Sequence, residues 1–257
     1  MIAIDKLCYG SRLRKKNGTV KFAYALITLL ILVTSRSSFA AGIVLAVNAF
    51  LVIVKGGVRA RRYLHYMTVP LIFLILSTLA ILFHFRPEPM DLFALPIGSR
   101  YLTGSREGLL YALQLILTAL SSVSCLYFLS MTTPMPDILN VLDRLRCPRL
   151  LGELMLLIYR YIFVLMDTAG KIRISQQSRL GNKDYQTSVK SFGALGSVLM
   201  IRAIGRSKAL YDAMEARCYD GRIQVLSEEN PPEKKDIGAI LLFEGLLLIA
   251  AFGRFFL

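Results

Sequence analysis

Hydrophobic residues in this chain gather into long runs, and polar residues, most of them basic, fall between the runs. Phe22–Val33, extendable to Ser35, and Phe39–Val54 are two such runs, separated only by Thr34-Ser35-Arg36-Ser37-Ser38. Each lies near the lower end of the about 17–25 residues that a helix needs to cross hydrocarbon. Together they predict a tight helical hairpin. A third run, Tyr63–Phe85, has its apolar heart at Val69–Phe83 and carries Pro70 in its first turns, where a missing N–H costs least. Gly108–Met131 is a fourth, closed by Thr132-Thr133-Pro134-Met135-Pro136, and Ile237–Phe252 is a fifth with Glu244 as its ionisable group. Between the third and fourth runs, residues 84–107 read as a loop rich in Pro and Gly.

The middle of the chain has a different pattern. Asp137–Leu145 reads as a short helix ended near Cys147-Pro148. From Pro148 to Gln177 the residues Leu151, Leu154, Ile158, Tyr161/Ile162, Leu165, Ala169 and Ile172 recur at helical spacing, which makes one continuous apolar stripe. Glu153, Arg160, Asp167 and Lys171 mark another face. Leu150–Met166 is short for a bilayer span and carries two of those charges. The expectation is instead a helix that enters or skirts the interface and projects its far end into the cytoplasm. A second helix is predicted over Val189–Arg217, with Leu199, Ala203, Ser207, Leu210 and Met214 on one face and Arg202, Arg206, Lys208, Asp212 and Glu215 on the polar side. Ser227–Asp236, containing Pro231-Pro232, reads as a linker.

The pattern predicts an all-α polytopic membrane protein with about five transmembrane helices. Residues 1–136 would hold the N-terminal transmembrane helices, 137–230 the cytoplasmic or interfacial helices, and 231–257 a C-terminal transmembrane helix. Composition agrees, with 55% hydrophobic residues and a formal net charge of +14. In a membrane protein such an excess of Lys and Arg marks cytoplasmic loops, not a nucleic-acid surface. The N-terminal segment (Lys6, Arg12, Arg14, Lys15, Lys16, Lys21), the 55–62 loop (Lys55, Arg59, Arg61, Arg62) and the stretch after Pro136 are strongly basic. The 34–38 turn has only Arg36, and in the 84–107 loop Arg86, Arg100 and Arg106 are balanced by Glu88, Asp91 and Glu107. The N-terminus is therefore expected in the cytoplasm and the C-terminus, beyond Arg254, outside. Phe22–Val33 followed by Ser38-Phe39-Ala40 also resembles a signal peptide. The long charged leader and the second apolar run argue for an uncleaved first span.

Candidate chemistry is sparse. Cys8, Cys125, Cys147 and Cys218 have no metal-ligand spacing and read as reduced thiols. His65 and His84 fall at opposite interfaces and cannot share a metal. There is no phosphate-binding GxxxxGK[ST] loop. Asp212, Glu215, Arg217, Asp220 and Gly221 faintly resemble a lipid-headgroup transferase cluster but lack its repeated aspartates. Glu244 is either a proton or ion site or a partner for a neighbouring helix.

What stands out is Lys171–Arg222, the longest run that no bilayer would accept. It contains Gln177-Ser178-Arg179-Leu180-Gly181 and Glu215-Ala216-Arg217-Cys218-Tyr219-Asp220-Gly221. Each sets a small residue and then an arginine near a predicted helix end. Gly181 or Gly221 follows, near the C-cap position where positive φ is inexpensive. A guanidinium's rigid fork suits bidentate docking on carboxylates or helix-end carbonyls.

These residues, with TTPMPDILNVLDRLRCPRLLGELMLLIYRYIFVLMD before them, resemble the transmembrane coupling (T) component of energy-coupling factor importers, a branch of ABC transporters. Leu145-Arg146-Cys147-Pro148 and Tyr159-Arg160-Tyr161 look closest to its cobalt/nickel-type branch. The resemblance implies a scaffold and not an enzyme, set in a bacterial cytoplasmic membrane and needing no cofactor of its own. Its implied partners are two ATP-binding cassette ATPase subunits, which bind the ATP, and a substrate-binding integral membrane subunit; cobalt or nickel ions are the implied cargo. The family's two Ala-Arg-Gly-like docking triplets fall on Ser178-Arg179-Leu180 and Ala216-Arg217-Cys218, with Gly181 and Gly221 in support. The chain departs from that pattern at Ser178, Leu180 and Cys218. The competing reading is a stand-alone carrier or a lipid-modifying membrane enzyme.

Overall fold

The computed structural model describes residues 3–35, 37–82, 84–86, 93–97, 100–104, 106–221, 223 and 231–252. In chain order the elements begin with α1 (Ala3–Gly10), a 3-10 turn (Arg12–Lys15), α2 (Gly18–Ser35) and α3 (Ser38–Phe50), which runs into a π turn (Leu51–Lys55). Then come α4 (Ala60–Leu82), three strands β1 (His84–Arg86), β2 (Phe93–Ile97) and β3 (Arg100–Gly104), and α5 (Arg106–Thr132). The remainder is α6 (Met135–Arg144), α7 (Arg149–Ser178), α8 (Tyr185–Glu215) and α9 (Lys234–Phe252). The chain divides into two compact units: Ala3–Pro134 with Glu229–Leu257, and Met135–Glu228.

The first unit is a multi-pass helical membrane bundle that also carries the three short strands. Gly18–Ser35, Ser38–Lys55, Ala60–Leu79 and Gly108–Thr132 are long and apolar enough to cross a bilayer. Their outward faces leave large apolar side chains exposed, among them Phe39 at 71% and Phe73 at 69%. So much exposed apolar surface needs lipid as its solvent. α9 is the fifth apolar helix and carries Lys234, Lys235 and Asp236 in its first turn. Its Leu247 and Ala251 are buried with Ile31, Leu32, Val44 and Cys125. A second cluster gathers Tyr24, Val52, Tyr63, Met67, Phe128 and Met131, with the rings of Tyr24 and Phe128 edge to face at 5.2 Å.

Polar groups buried in this bundle bind one another. The Tyr24 hydroxyl donates to Asn48 Oδ1 at 2.8 Å, and Asn48 Nδ2 donates to Ser124 Oγ at 2.9 Å. Thr28 Oγ1 lies 2.6 Å from Glu244 Oε1, so Glu244 pairs with a neighbouring helix. Its other oxygen, Oε2, is buried with no hydrogen-bond partner among the described residues.

Several local features differ from the sequence pattern. The 84–107 segment is not plain loop. β1, β3 and β2 form an antiparallel sheet in that spatial order, with His84 opposite Thr103 and Phe93 opposite Gly104. Its prolines obscured the signal, yet Pro96 sits on β2, an edge strand, where a missing donor is tolerated. α1 was hidden in the charged leader, although its Cys8 is 2% exposed. α8 starts at Tyr185, before Val189, with Asp184 at its N-cap. The π turn depends on Gly56: a Cβ there would lie 2.5 Å from the Val52 carbonyl oxygen, and the Gly56 amide reaches back to the Leu51 carbonyl at 2.8 Å. Arg36, Glu88, Asp91, Arg222, residues 224–230 of the linker region and Arg254 lie outside the described residues, as do the side chains of His84, Arg86, Arg100, Arg106 and Glu107.

Candidate functional site

The second unit carries the two arginine phrases. α6 ends at Arg144, and Pro148 stands at the N-cap of the long α7. α7 and α8 form a hairpin with polar clasps at the bend. Gln176 Nε2 donates to the Ser191 carbonyl at 2.8 Å, and Ser191 Oγ donates to the Gly181 carbonyl at 2.8 Å. Neither helix has a closed core. α8 has no buried residue, and Phe192 and Tyr185 stand 76% and 85% exposed. A groove of about 800 Å³ lies between the helices, lined by Met166, Arg173, Tyr185, Val189 and Phe192 among others.

Both arginine phrases end their helices in the same way. After α7, the amides of Arg179 and Gly181 both donate to the Gln176 carbonyl, at 3.1 and 2.8 Å, and Leu180 N donates to Gln177 O at 3.1 Å. After α8, the amides of Arg217 and Tyr219 both donate to the Met214 carbonyl, each at 3.0 Å, and Cys218 N donates to Glu215 O at 2.9 Å. In each case the amide that reaches back five positions is possible because the residue before it is left-handed. Those residues are Leu180, with φ 59°, and Cys218, with φ 58°.

This corrects the reading of the glycines. Gly181 does not supply the positive φ; Leu180 does, one position earlier. Gly181 is required for space, since a Cβ there would come within 2.8 Å of Gln176 O and 2.9 Å of Ser191 Oγ. Gly221 does have a positive φ of 84°, but it lies beyond the helix closure. Ser178 is the last residue of α7 and Arg179 its C-cap, while Ala216 is the C-cap of α8 and Arg217 the next residue. Ser178, Arg179, Leu180, Ala216, Arg217 and Cys218 are all exposed.

The two arginines are far apart. Tyr219, two residues beyond Arg217, donates from its hydroxyl to Glu153 Oε2 at 2.6 Å, and the Ile223 amide donates to Glu153 Oε1 at 3.3 Å. Glu153 lies near the start of α7, whereas Arg179 caps its other end. At about 1.5 Å of rise per residue this separates the two arms by roughly 40 Å. The hydrogen bond to Glu153 also holds the Tyr219 phenol above its ordinary value of 10.0. Sequence reasoning saw Glu153 only as a face marker; nothing in the spacing pairs it with Tyr219 across the hairpin. Of the other candidates, His65 is exposed beside Tyr66, their ring centroids 6.1 Å apart, and none of the four cysteines is in a disulfide. Among the described residues no three His, Cys, Asp or Glu side chains gather as a metal site.

One unit is a multi-pass helical membrane bundle and the other a long, open helical hairpin with an exposed arginine at each of two helix ends, which defines a multi-pass membrane component. The chain belongs to the cobalt transport protein family CbiQ, the transmembrane component of energy-coupling factor transporters: that family's model matches residues 10–226. It is a transport membrane component and not an enzyme. Over 249 residues it is 34% identical to an uncharacterised protein of Methanocaldococcus jannaschii, covering 97% of this chain and 92% of that one. It is 28% identical over 222 residues to the cobalt transport protein CbiQ of Salmonella typhimurium, covering 86% of this chain and 98% of that one. Over 134 residues it is 29% identical to the energy-coupling factor transporter transmembrane protein EcfT of Staphylococcus aureus, which covers 48% of this chain and 50% of that protein.

Proposed function

We propose that this chain is the coupling subunit of an importer for cobalt or nickel ions, converting motion of two ATPase subunits into movement of a substrate-binding membrane subunit. The observation that carries this reading is the pair of exposed arginines on two helix ends built with the same hydrogen bonds, roughly 40 Å apart along α7. One pocket cannot receive both; two copies of one partner can. Each guanidinium would dock bidentately on carboxylate or carbonyl oxygens of an ATPase. Drawing the ATPases together on ATP binding would then move the two ends of the hairpin, and the bundle would hold the substrate-binding subunit against that motion. Such coupling needs contacts that differ between the two states. The basic N-terminal segment and 55–62 loop support a cytoplasmic location for that end of the membrane bundle under the positive-inside rule.

The test is co-purification with the ATPase subunits, together with uptake of labelled cobalt and nickel, for R179A and R217A. Each single variant is expected to insert in the membrane normally and to lose ATPase capture or uptake by tenfold or more, as loss of a buried charge-assisted contact at an interface would give (about 2–5 kcal/mol). Normal assembly and uptake in both variants would refute the assignment.

A further inference from the structure

At the basic end of the bundle a cavity of about 530 Å³ opens among the start of α2, the π turn and the start of α9. Its depth is apolar, lined by Val20, Val47, Leu51, Phe128, Ile240 and Phe243. Its mouth is basic. The Ser11 hydroxyl donates to the Gly56 carbonyl at 3.2 Å and the Arg12 amide donates to the same oxygen at 3.3 Å. These bonds pin the 3-10 turn to the end of the π turn, and Arg12 and Lys55 both line the cavity and are both exposed.

The acid at the mouth is already matched. Asp236 lies 2.9 Å from Lys16 Nζ, which also lies 2.9 Å from Glu233. Lys21, a further cation on the wall, donates to the carbonyls of Leu13 and Thr132 at 3.2 and 2.9 Å. Arg12 and Lys55 make no ion pair among the described residues. The mouth lies where the apolar spans Gly18–Ser35 and Ser38–Lys55 begin and end, which is the depth of lipid headgroups.

We propose that this cavity is a binding site for one anionic phospholipid, its phosphate held by Arg12 and Lys55 and an acyl chain laid against Val20, Leu51 and Phe243. Guanidinium and ammonium groups at the membrane surface favour anionic headgroups, and the apolar depth excludes a ligand that is only a phosphate. The bound lipid fastens the N-terminal turn to α3 and α9, the elements whose ends form the mouth.

Native mass spectrometry of the delipidated full chain, titrated with dioleoylphosphatidylglycerol or dioleoylphosphatidylcholine, tests this. One phosphatidylglycerol should bind in preference to phosphatidylcholine. R12Q/K55Q should weaken that binding by roughly thirtyfold, about fivefold for each cation. R61Q/R62Q removes the same charge from nearby exposed positions outside the cavity and should leave binding within about twofold. A239W, which fills the cavity without changing charge, should also expel the lipid. The proposal is overturned if both lipids bind alike, if the control pair weakens binding as much as R12Q/K55Q, or if A239W binds normally. It is overturned equally if inorganic phosphate at millimolar concentration displaces phosphatidylglycerol, for the site would then be one for free phosphate.

Discussion

Leu180 stands where glycine would be easier. Its φ of 59° is in the left-handed region, which disfavours a residue with a Cβ by roughly 1–2 kcal/mol. Its side chain is 70% exposed, so replacing it removes little burial. Glycine adds freedom to the unfolded chain, which offsets part of the relief. The net expectation for L180G is a gain of about 1 kcal/mol in the closure of α7, or about fivefold. Amide hydrogen exchange of the intact protein, read on peptides spanning residues 174–185, should slow by that factor where exchange reports local opening. L180A keeps both the Cβ and the left-handed backbone and should leave exchange almost unchanged. G181A should accelerate it, because the new Cβ meets the Gln176 carbonyl at 2.8 Å. If L180G exchanges at the wild-type rate or faster, the left-handed closure at Leu180 is not the conformation that ends α7.

Three further outcomes follow from the same geometry. C218G should slow exchange at the end of α8 in the same way, since Cys218 has φ 58° and is exposed. In the difference between the alkaline spectrophotometric titrations of wild type and Y219F, Tyr219 should ionise above 10.0, and E153Q should lower that step. Because the folded value is raised, the tether between Tyr219 and Glu153 is complete below the unfolded value of about 10 and is lost as pH rises through the folded one. T28V deprives Glu244 of its hydrogen-bond neighbour and should destabilise the bundle by about 1–3 kcal/mol; T28V/E244L should recover much of that in thermal unfolding, because removing both polar groups leaves neither unsatisfied.

The membrane bundle was legible because its signal is a sum over many residues. Each of the four spans is an apolar run with few charges, and a shift of two or three residues at either end changes nothing. What escaped the pattern was held by pairing and packing between segments. Residues 84–86, 93–97 and 100–104 form strands because β3 pairs with both neighbours, a matter of register that composition does not carry. α1 is short, and the burial of its Cys8 could not be read from a leader whose charges dominate it.

The arginine arms were legible as a repeated phrase, but not in their backbone. A pattern keyed on glycine points to Gly181 in one arm and Gly221 in the other, and neither sits at the closure's left-handed position. That position is set by two amides converging on one carbonyl, Gln176 O after α7 and Met214 O after α8. The bonding tolerates Leu180 and Cys218, at some energetic disadvantage, because each left-handed residue points its side chain to solvent. A related closure ends α6, where Cys147 N reaches Leu142 O at 3.0 Å with Arg146 at φ 63°. There the residue before the left-handed position is Leu145, not an arginine. Closure alone therefore does not mark an arm. The distinguishing feature is an arginine one residue before the turn, and on that criterion Arg179 and Arg217 are alike while the end of α6 is not.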